Sequence, residues 1–311
     1  MCAGPCAELR PVGPSLSEQS WVVSDYDLDL TLGCGQVFRW RQCGSLWIGV
    51  VNGRWVELQP GPTGLRARTV PPVPSWDWLA EYLQVHLRLE TVLATFPEDV
   101  RLQEAVARWR GLRLLRQPAW ECLASFLLSS SKRIEQIQQV IERLCRQWGD
   151  PISVPAGHPP AWSFPGPERL ATARERDLRR CGMGFRASYL IEAARAVVDG
   201  SLDLAALRRQ PYPVARAALL RLKGVGPKVA DCVCLFGLGF FEAFPVDTWV
   251  ARVLREQYFG GRPIAPEKLA EFGRRFFGPF AGYAQQYLFH DRRTAGKAPL
   301  RIGSPALDRG S

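Results

Sequence analysis

Residues 222–250 constrain this chain more than any other stretch. Leu-Lys-Gly-Val-Gly-Pro-Lys-Val-Ala-Asp-Cys is followed, after an apolar run, by Pro-Val-Asp-Thr-Trp-Val. Gly224 and Gly226, on either side of Val225, make a turn whose glycines are free to take positive φ and whose N–H groups suit close approach to a phosphate. Pro227 fits the first position of a helix, which puts Lys228 on the first turn, at the positive end of the helix dipole. Asp247 opens the next apolar-periodic run and is a favoured N-cap. The 19 residues from Lys228 to Asp247 hold one helix and one short connection, so both helix N-termini are expected at a single cleft.

Lysine is scarce here. Of 40 basic residues 35 are arginine; the five lysines are Lys132, Lys223, Lys228, Lys268 and Lys297. Arginine stays protonated in a protein and cannot be a nucleophile, whereas lysine can. Lysines at 223 and 228, flanking one glycine turn, therefore read as placed for chemistry or for phosphate contact, and the residue pattern leaves both open for Lys228. With Asp247 the pair suits cleavage of an N-glycosidic bond. A neutral amine attacks the sugar C1′ and forms a Schiff base, while a fixed carboxylate stabilises positive charge developing on the sugar. The cap role and the charge-stabilising role of Asp247 are compatible. Cys232, four residues after Lys228, shares its helix face; the other reading is a small buried apolar residue.

The net charge of +10 favours a polyanionic partner. Residues 1–112 carry 10 basic and 12 acidic side chains, and residues 113–311 carry 30 and 18, so all the excess lies with the glycine turn. The nine cysteines (2, 6, 34, 43, 122, 145, 181, 232 and 234) are scattered and odd in number. Residues 1–18 lack the apolar core of a secretory leader, and no apolar run nears a membrane span. Reduced thiols, in the cytoplasm of a bacterium or the nucleus of a eukaryote, are expected, with no membrane partner. Cys232 and Cys234 are too close for the common zinc motif and no second pair follows, so no structural metal is expected.

The first third reads as antiparallel sheet. Leu28, Leu30 and Leu32 alternate with polar residues, and strand-like runs Leu46–Val51 and Arg54–Leu58 flank Asn52-Gly53, a strong hairpin signal. From Pro74 the spacing turns helical, over Trp76–Leu83, Leu89–Phe96, Val100–Trp109, Pro118–Leu128 and Lys132–Trp148. A Pro/Gly-rich loop fits Asp150–Pro167, and shorter helices fit Pro167–Thr172, Glu175–Cys181, Arg186–Asp199, Ala205–Arg209 and Pro213–Leu220. Two more follow the turn region, near Pro266–Phe276 and over Gly282–Phe289. The expected architecture is α+β: a small antiparallel β-rich domain with peripheral helices (1–112), a larger helical domain (113–292) and a loose tail (293–311). A monomer is expected.

These motifs together are similar to one family. Lys-Gly-Val-Gly-Pro-Lys-Val-Ala-Asp-Cys with Pro-Val-Asp resembles the helix–hairpin–helix Gly/Pro…Asp superfamily of DNA glycosylases and, more narrowly, the eukaryotic-type 8-oxoguanine DNA glycosylases. The likeness runs from about Asp27 to Arg292 and includes Leu32-Gly33-Cys34-Gly35-Gln36-Val37-Phe38-Arg39-Trp40, Leu114-Leu115-Arg116-Gln117, Gly184-Phe185-Arg186-Ala187 and Gly282-Tyr283-Ala284-Gln285…Phe289. It implies that Lys228 is the nucleophile and Asp247 its electrostatic partner. Gly35 would offer its carbonyl to the N7–H of the oxidised base, and Gln285 would bond the Watson–Crick edge. Phe289 and Cys232 would sandwich the ring of a flipped nucleotide. Taken singly, Gly35 also reads as a turn glycine, Phe289 as a core aromatic and Gln285 as a solvated polar residue.

The resemblance further implies DNA contacts by Lys223, Gly224, Val225, Gly226, Phe185, Arg186, Ser131, Gln136 and Trp249. It implies a monovalent cation shared between the hairpin and a DNA phosphate, and otherwise no cofactor. Departures stand at Ser131-Lys132-Arg133 for three asparagines, Gln136 for an arginine reading the opposite cytosine, Phe185 for a tyrosine and Trp249 for a histidine. Selectivity for cytosine opposite the lesion is therefore expected to be weaker than the family norm. The implied partner is duplex DNA carrying oxidised guanine, and the implied activity is base excision with β-elimination at the abasic site. Two alternatives are a superfamily glycosylase for another damaged base and a hairpin module that grips DNA without catalysis.

Overall fold

The computed structural model describes residues 15–129 and 133–294. Strands β1 (Ser17–Val22), β2 (Trp40–Cys43), β3 (Leu46–Val51), β4 (Arg54–Gly61) and β5 (Gly64–Val70) form one antiparallel sheet in the order β1-β5-β4-β3-β2. The hairpin between β3 and β4 closes at Asn52 and Gly53, with φ of 49° and 70°, and pairs Val51 with Arg54. Both central residues take positive φ, the twist-matched turn that an Asn-Gly pair favours. One face of the sheet buries Trp47, Leu58, Leu65 and Ala67 against Leu79 and Leu83 of the Asp77–Leu83 helix.

The leucines at 28, 30 and 32 do not form a strand. They lie on a short helix, Leu28–Gly33, whose N-cap Asp27 accepts from the Leu30 N–H at 2.9 Å. Leu28, Thr31 and Leu32 are its buried residues, an i, i+3, i+4 face. Over six residues a period of two and a period of 3.6 share too many positions to be told apart, and the Asp cap decides.

The remainder is helical. Segments Ala119–Leu128, Ile134–Trp148, Arg186–Val198, Tyr212–Leu220, Thr248–Tyr258 and Pro266–Phe277 surround a second, larger core. The expected loop over 150–167 carries a two-stranded ribbon, Pro151–Ile152 with Ala161–Trp162. The Glu175–Leu178 helix widens into a looser turn, Arg179–Met183, that bends at Gly182 with φ 91°. No helix among the described residues is long and apolar enough to cross a membrane.

The two cores do not divide at residue 112. Leu89, Val92, Leu102 and Ala105 pack into the helical core, while Leu115 packs under the sheet. Residues 112–117 stitch the halves together. The buried Arg113 guanidinium donates to the carbonyls of Ser24 at 2.8 Å and Asp25 at 2.9 Å and also to that of Leu87. Arg116 N–H bonds the Tyr82 carbonyl at 2.8 Å, and Gln117 N–H bonds that of Phe236 at 2.7 Å. Each such buried pair, if broken, leaves a polar group without water, at ~1–3 kcal/mol apiece. The last helix, Ala281–Thr294, runs through the core and extends past 292, into what reads in the sequence as the start of the tail.

Candidate active site

The hairpin forms as the Gly-Pro pattern requires, but its two glycines do different work. Gly224 takes φ 83°, and a Cβ there would lie 2.3 Å from the Tyr189 ring, so the fold demands glycine. Gly226 is extended, at φ −89° and ψ 178°, and a Cβ there would meet nothing within 4 Å. Its missing side chain leaves room outside the protein. Val225 between them is buried, its N–H bonded to the Leu222 carbonyl at 3.1 Å. From Pro227 the chain runs as a helix to Cys232 and then as a wider turn to Leu238.

Asp231 anchors this helix. Its carboxylate, 1% exposed, accepts from Tyr212 Oη at 2.7 Å and from Arg216 Nε at 2.7 Å, tying it to the preceding Tyr212–Leu220 helix. Burial pushes the Asp231 carboxyl above its ordinary range, against the pull of Arg216 and Tyr212. Asp231 belongs to none of the expected site roles, and its signal in the sequence is an acidic residue set amid Val-Ala-Asp-Cys-Val-Cys-Leu.

Lys228 and Asp247 face one narrow cavity. Gly35, Cys232, Gln285 and Phe289 line it too, with Phe126, Phe236, Pro245 and Gln286. All six residues expected for catalysis and base recognition thus meet, drawn from positions 35 to 289. Lys228 Nζ stands 5.0 Å over the Phe126 ring and 3.5 Å from Ser129 Oγ. Lys228 and Asp247 form no ion pair within 4.0 Å among the described residues. Lys223 points elsewhere, to Glu192 at 3.4 Å and the Tyr189 ring at 5.6 Å. Only one of the two lysines therefore reaches the cavity.

Asp247 caps the Thr248–Tyr258 helix, accepting from the Val250 N–H at 2.8 Å, and is half-buried in the cavity wall. Burial raises its carboxyl above the ordinary aspartate value, opposed by the Val250 bond and the Lys228 charge. Burial likewise pushes the Cys232 thiol up to about 12, so it offers an uncharged, polarisable surface.

The recognition wall is unusual in its hydrogen bonding. Gln285 is 4% exposed, not solvated, and among the described residues its Oε1 has no partner. Gly35 takes φ 94°, and a Cβ would press on Ile134 Cδ1 at 2.8 Å and Arg293 Nη1 at 2.9 Å. Its turn is fixed by the buried Gln36 amide, which donates to the carbonyls of Thr31 at 2.9 Å and Arg113 at 2.7 Å and accepts from Leu115 N–H at 2.8 Å. Buried acceptors normally find a donor, and Gln285 stands in the cavity wall, where a bound base can supply one.

A broader groove opens from the cavity and is lined by Gln136, Trp249, Arg133, Arg255 and Arg293 among others. Trp249 is 43% exposed there. Gln136 is only half free, because its Oε1 accepts from the Arg133 N–H at 3.0 Å and closes the start of its own helix. Phe185 is 56% exposed, presented beyond positive-φ Gly182 and Gly184, with the Arg186 guanidinium 4.5 Å over its ring. Neither lines the cavity. Ser131 lies outside the described residues. Among those residues, no group of His, Cys, Asp and Glu could hold a metal ion.

The 8-oxoguanine DNA glycosylase N-terminal domain matches residues 21–123, and the HhH-GPD superfamily base excision DNA repair protein matches residues 124–279. The chain is 32% identical over 305 residues to a probable N-glycosylase/DNA lyase of Methanothermobacter thermautotrophicus, covering 88% of this chain and 96% of that one. It is 31% identical to the N-glycosylase/DNA lyase OGG1 of Arabidopsis thaliana, over 92% of this chain and 82% of the relative. Among solved structures, the 8-oxoguanine glycosylase/lyase of Clostridium acetobutylicum, in complex with DNA containing cytosine opposite 8-oxoguanine, superposes with a TM-score of 0.82. That match has 28% identity and covers 91% of this chain and 99% of that one. Two adjoining family matches, kinship along nearly the whole chain and a cavity that gathers the expected residues lead to one assignment: the chain belongs to the 8-oxoguanine DNA glycosylases of the HhH-GPD base-excision-repair superfamily.

Proposed function

We propose that this protein is a bifunctional glycosylase that excises 8-oxoguanine from duplex DNA and nicks the abasic strand it creates. The observation that carries the reading is the meeting, in one cavity, of a lysine amine, a capping carboxylate and the unpartnered Gln285 acceptor. The Lys228 lone pair forms a bond to C1′ as the C1′–N9 bond breaks, and the bonding pair leaves with the base, which takes up a proton. Asp247, half-buried in the cavity wall, is the carboxylate available to the positive charge that develops on the sugar. Ring opening leaves a Schiff base. Loss of a C2′ proton then expels the 3′ phosphate, which nicks the strand. An oxidised guanine presents an N7–H that guanine lacks, for which the Gly35 carbonyl is the acceptor, while Gln285 Oε1 is an acceptor for the N–H donors of its Watson–Crick edge.

The open space beside Gly226 leaves the hairpin backbone accessible to a DNA phosphate, and a monovalent cation shared with that phosphate would take no part in the chemistry. A DNA substrate places the enzyme with the genome, in the cytoplasm of a bacterium or the nucleus of a eukaryote. Borohydride reduction during turnover of lesion duplex tests the reading. Covalent trapping is expected for the wild type and for Lys223→Gln and is expected to be lost in Lys228→Gln. Trapping that survives Lys228→Gln would refute the assignment.

A further inference from the structure

The carbonyls around Gly35 are not treated alike. That of Gly33 accepts from Arg293 Nη2 at 2.9 Å, and that of Cys34 accepts from Gln286 Nε2 at 3.4 Å. The next one along, on Gln36, accepts from Gln117 Nε2 at 2.6 Å. Among the described hydrogen bonds, Gly35 alone of these four has no donor on its carbonyl. Two of the three donors stand on the last helix, which also carries Gln285 and Phe289. Arg293 is four residues beyond Phe289, one helical turn away, and its guanidinium lies 5.4 Å over that ring. Gln286 is 3% exposed, so its bond to Cys34 is sheltered from water. Arg293 therefore ties the two halves of the recognition wall together, although it lines the outer groove and not the inner cavity.

We propose that Arg293 is a specificity-positioning residue: it holds the Gly33–Gly35 turn against the last helix, so that the Gly35 carbonyl stays open toward the N7–H of the base. The inference rests on the proposed activity and deepens it. A planar guanidinium can donate to a carbonyl and stack on an aromatic ring at once, which an ammonium cannot do equally well. Releasing the turn lets the Gly35 carbonyl rotate away, and the oxidised base then loses its advantage over guanine. Nicking of a preformed abasic site needs Lys228 but no base contact, and so it supplies an internal reference within the same protein.

The test compares wild type, Arg293→Met and Arg293→Lys in single-turnover rates on three duplexes, carrying 8-oxoguanine, unmodified guanine or an abasic site. In Arg293→Met the rate of 8-oxoguanine excision, divided by the rate of abasic nicking, is expected to fall about tenfold, the size of one charge-assisted hydrogen bond. The preference for 8-oxoguanine over guanine is expected to narrow with it. Arg293→Lys keeps the charge and is expected to keep DNA affinity while losing part of the ratio. If both variants change all rates by one common factor, Arg293 is a phosphate contact only and the proposal fails. It fails equally if neither variant moves the ratio. A wild type that nicks abasic DNA yet leaves 8-oxoguanine in place would sink the functional reading instead.

Discussion

At the scale of single residues, the capping carboxylate is the most consequential feature. Asp247 is placed by a helix N-terminus that needs an acceptor there, and its burial raises the carboxyl above the ordinary aspartate range. It works only when ionised, so a raised value moves the acid limb of the excision profile to higher pH than a solvated aspartate would give. The sign for stability is opposite. A carboxyl raised on folding contributes stability below its unfolded value and loses it as pH rises through the folded value. Asparagine also caps helices well. Asp247→Asn is thus expected to raise the melting temperature at pH 7 while slowing excision by about 100-fold. Thermal melts and single-turnover rates from pH 4 to 8 check both, and a lower melting temperature would contradict the burial argument. The pairing of Lys228 with Asp247 was legible from spacing. The absence of a donor on Gln285 Oε1 was not, because it depends on what the folded core fails to bring near.

At the scale of elements, the hairpin is made rigid by a buried pair outside the motif. Asp231 joins the Pro227–Cys232 helix to the Tyr212–Leu220 helix through Arg216 and Tyr212. Arg216 is 21% exposed and Asp231 1% exposed, so removing the carboxylate leaves a mostly sheltered charge without its partner. Asp231→Ala is expected to cost about 2–3 kcal/mol in a urea titration, at the low end for a buried pair because one partner is partly solvated. A loss under ~0.5 kcal/mol would mean that the hairpin is held by apolar packing alone. Hairpins and helices with strong local signals, such as Asn52-Gly53 and Pro227, were readable from the chain. The Leu28–Gly33 helix was not, since six residues of alternating leucine fit two periods and the side of burial settles the matter.

At the scale of the whole molecule, charge and architecture coincide. Of the net charge of +12 over residues 113–311, +9 lies within residues 113–292, the helical part, which carries the hairpin and most of the groove. Binding to duplex DNA is expected to weaken steeply with salt, with the logarithm of affinity falling linearly as counterions are released. Between 50 and 200 mM salt a drop of roughly 100-fold or more is expected for a protein that neutralises several phosphates. Fluorescence anisotropy measures it, and an affinity independent of salt would exclude phosphate neutralisation as the main term.

Local chemistry in the chain specified the pieces: a glycine turn, a proline-started helix, a scarce lysine, a capping aspartate and an Asn-Gly hairpin. Each follows from backbone and side-chain preferences that act over a few residues. The base pocket and the partition of the cores needed contacts across more than 200 positions, such as Arg293 with Gly33. They depend on burial and on which buried polar groups find donors, and those quantities exist only once the chain has packed.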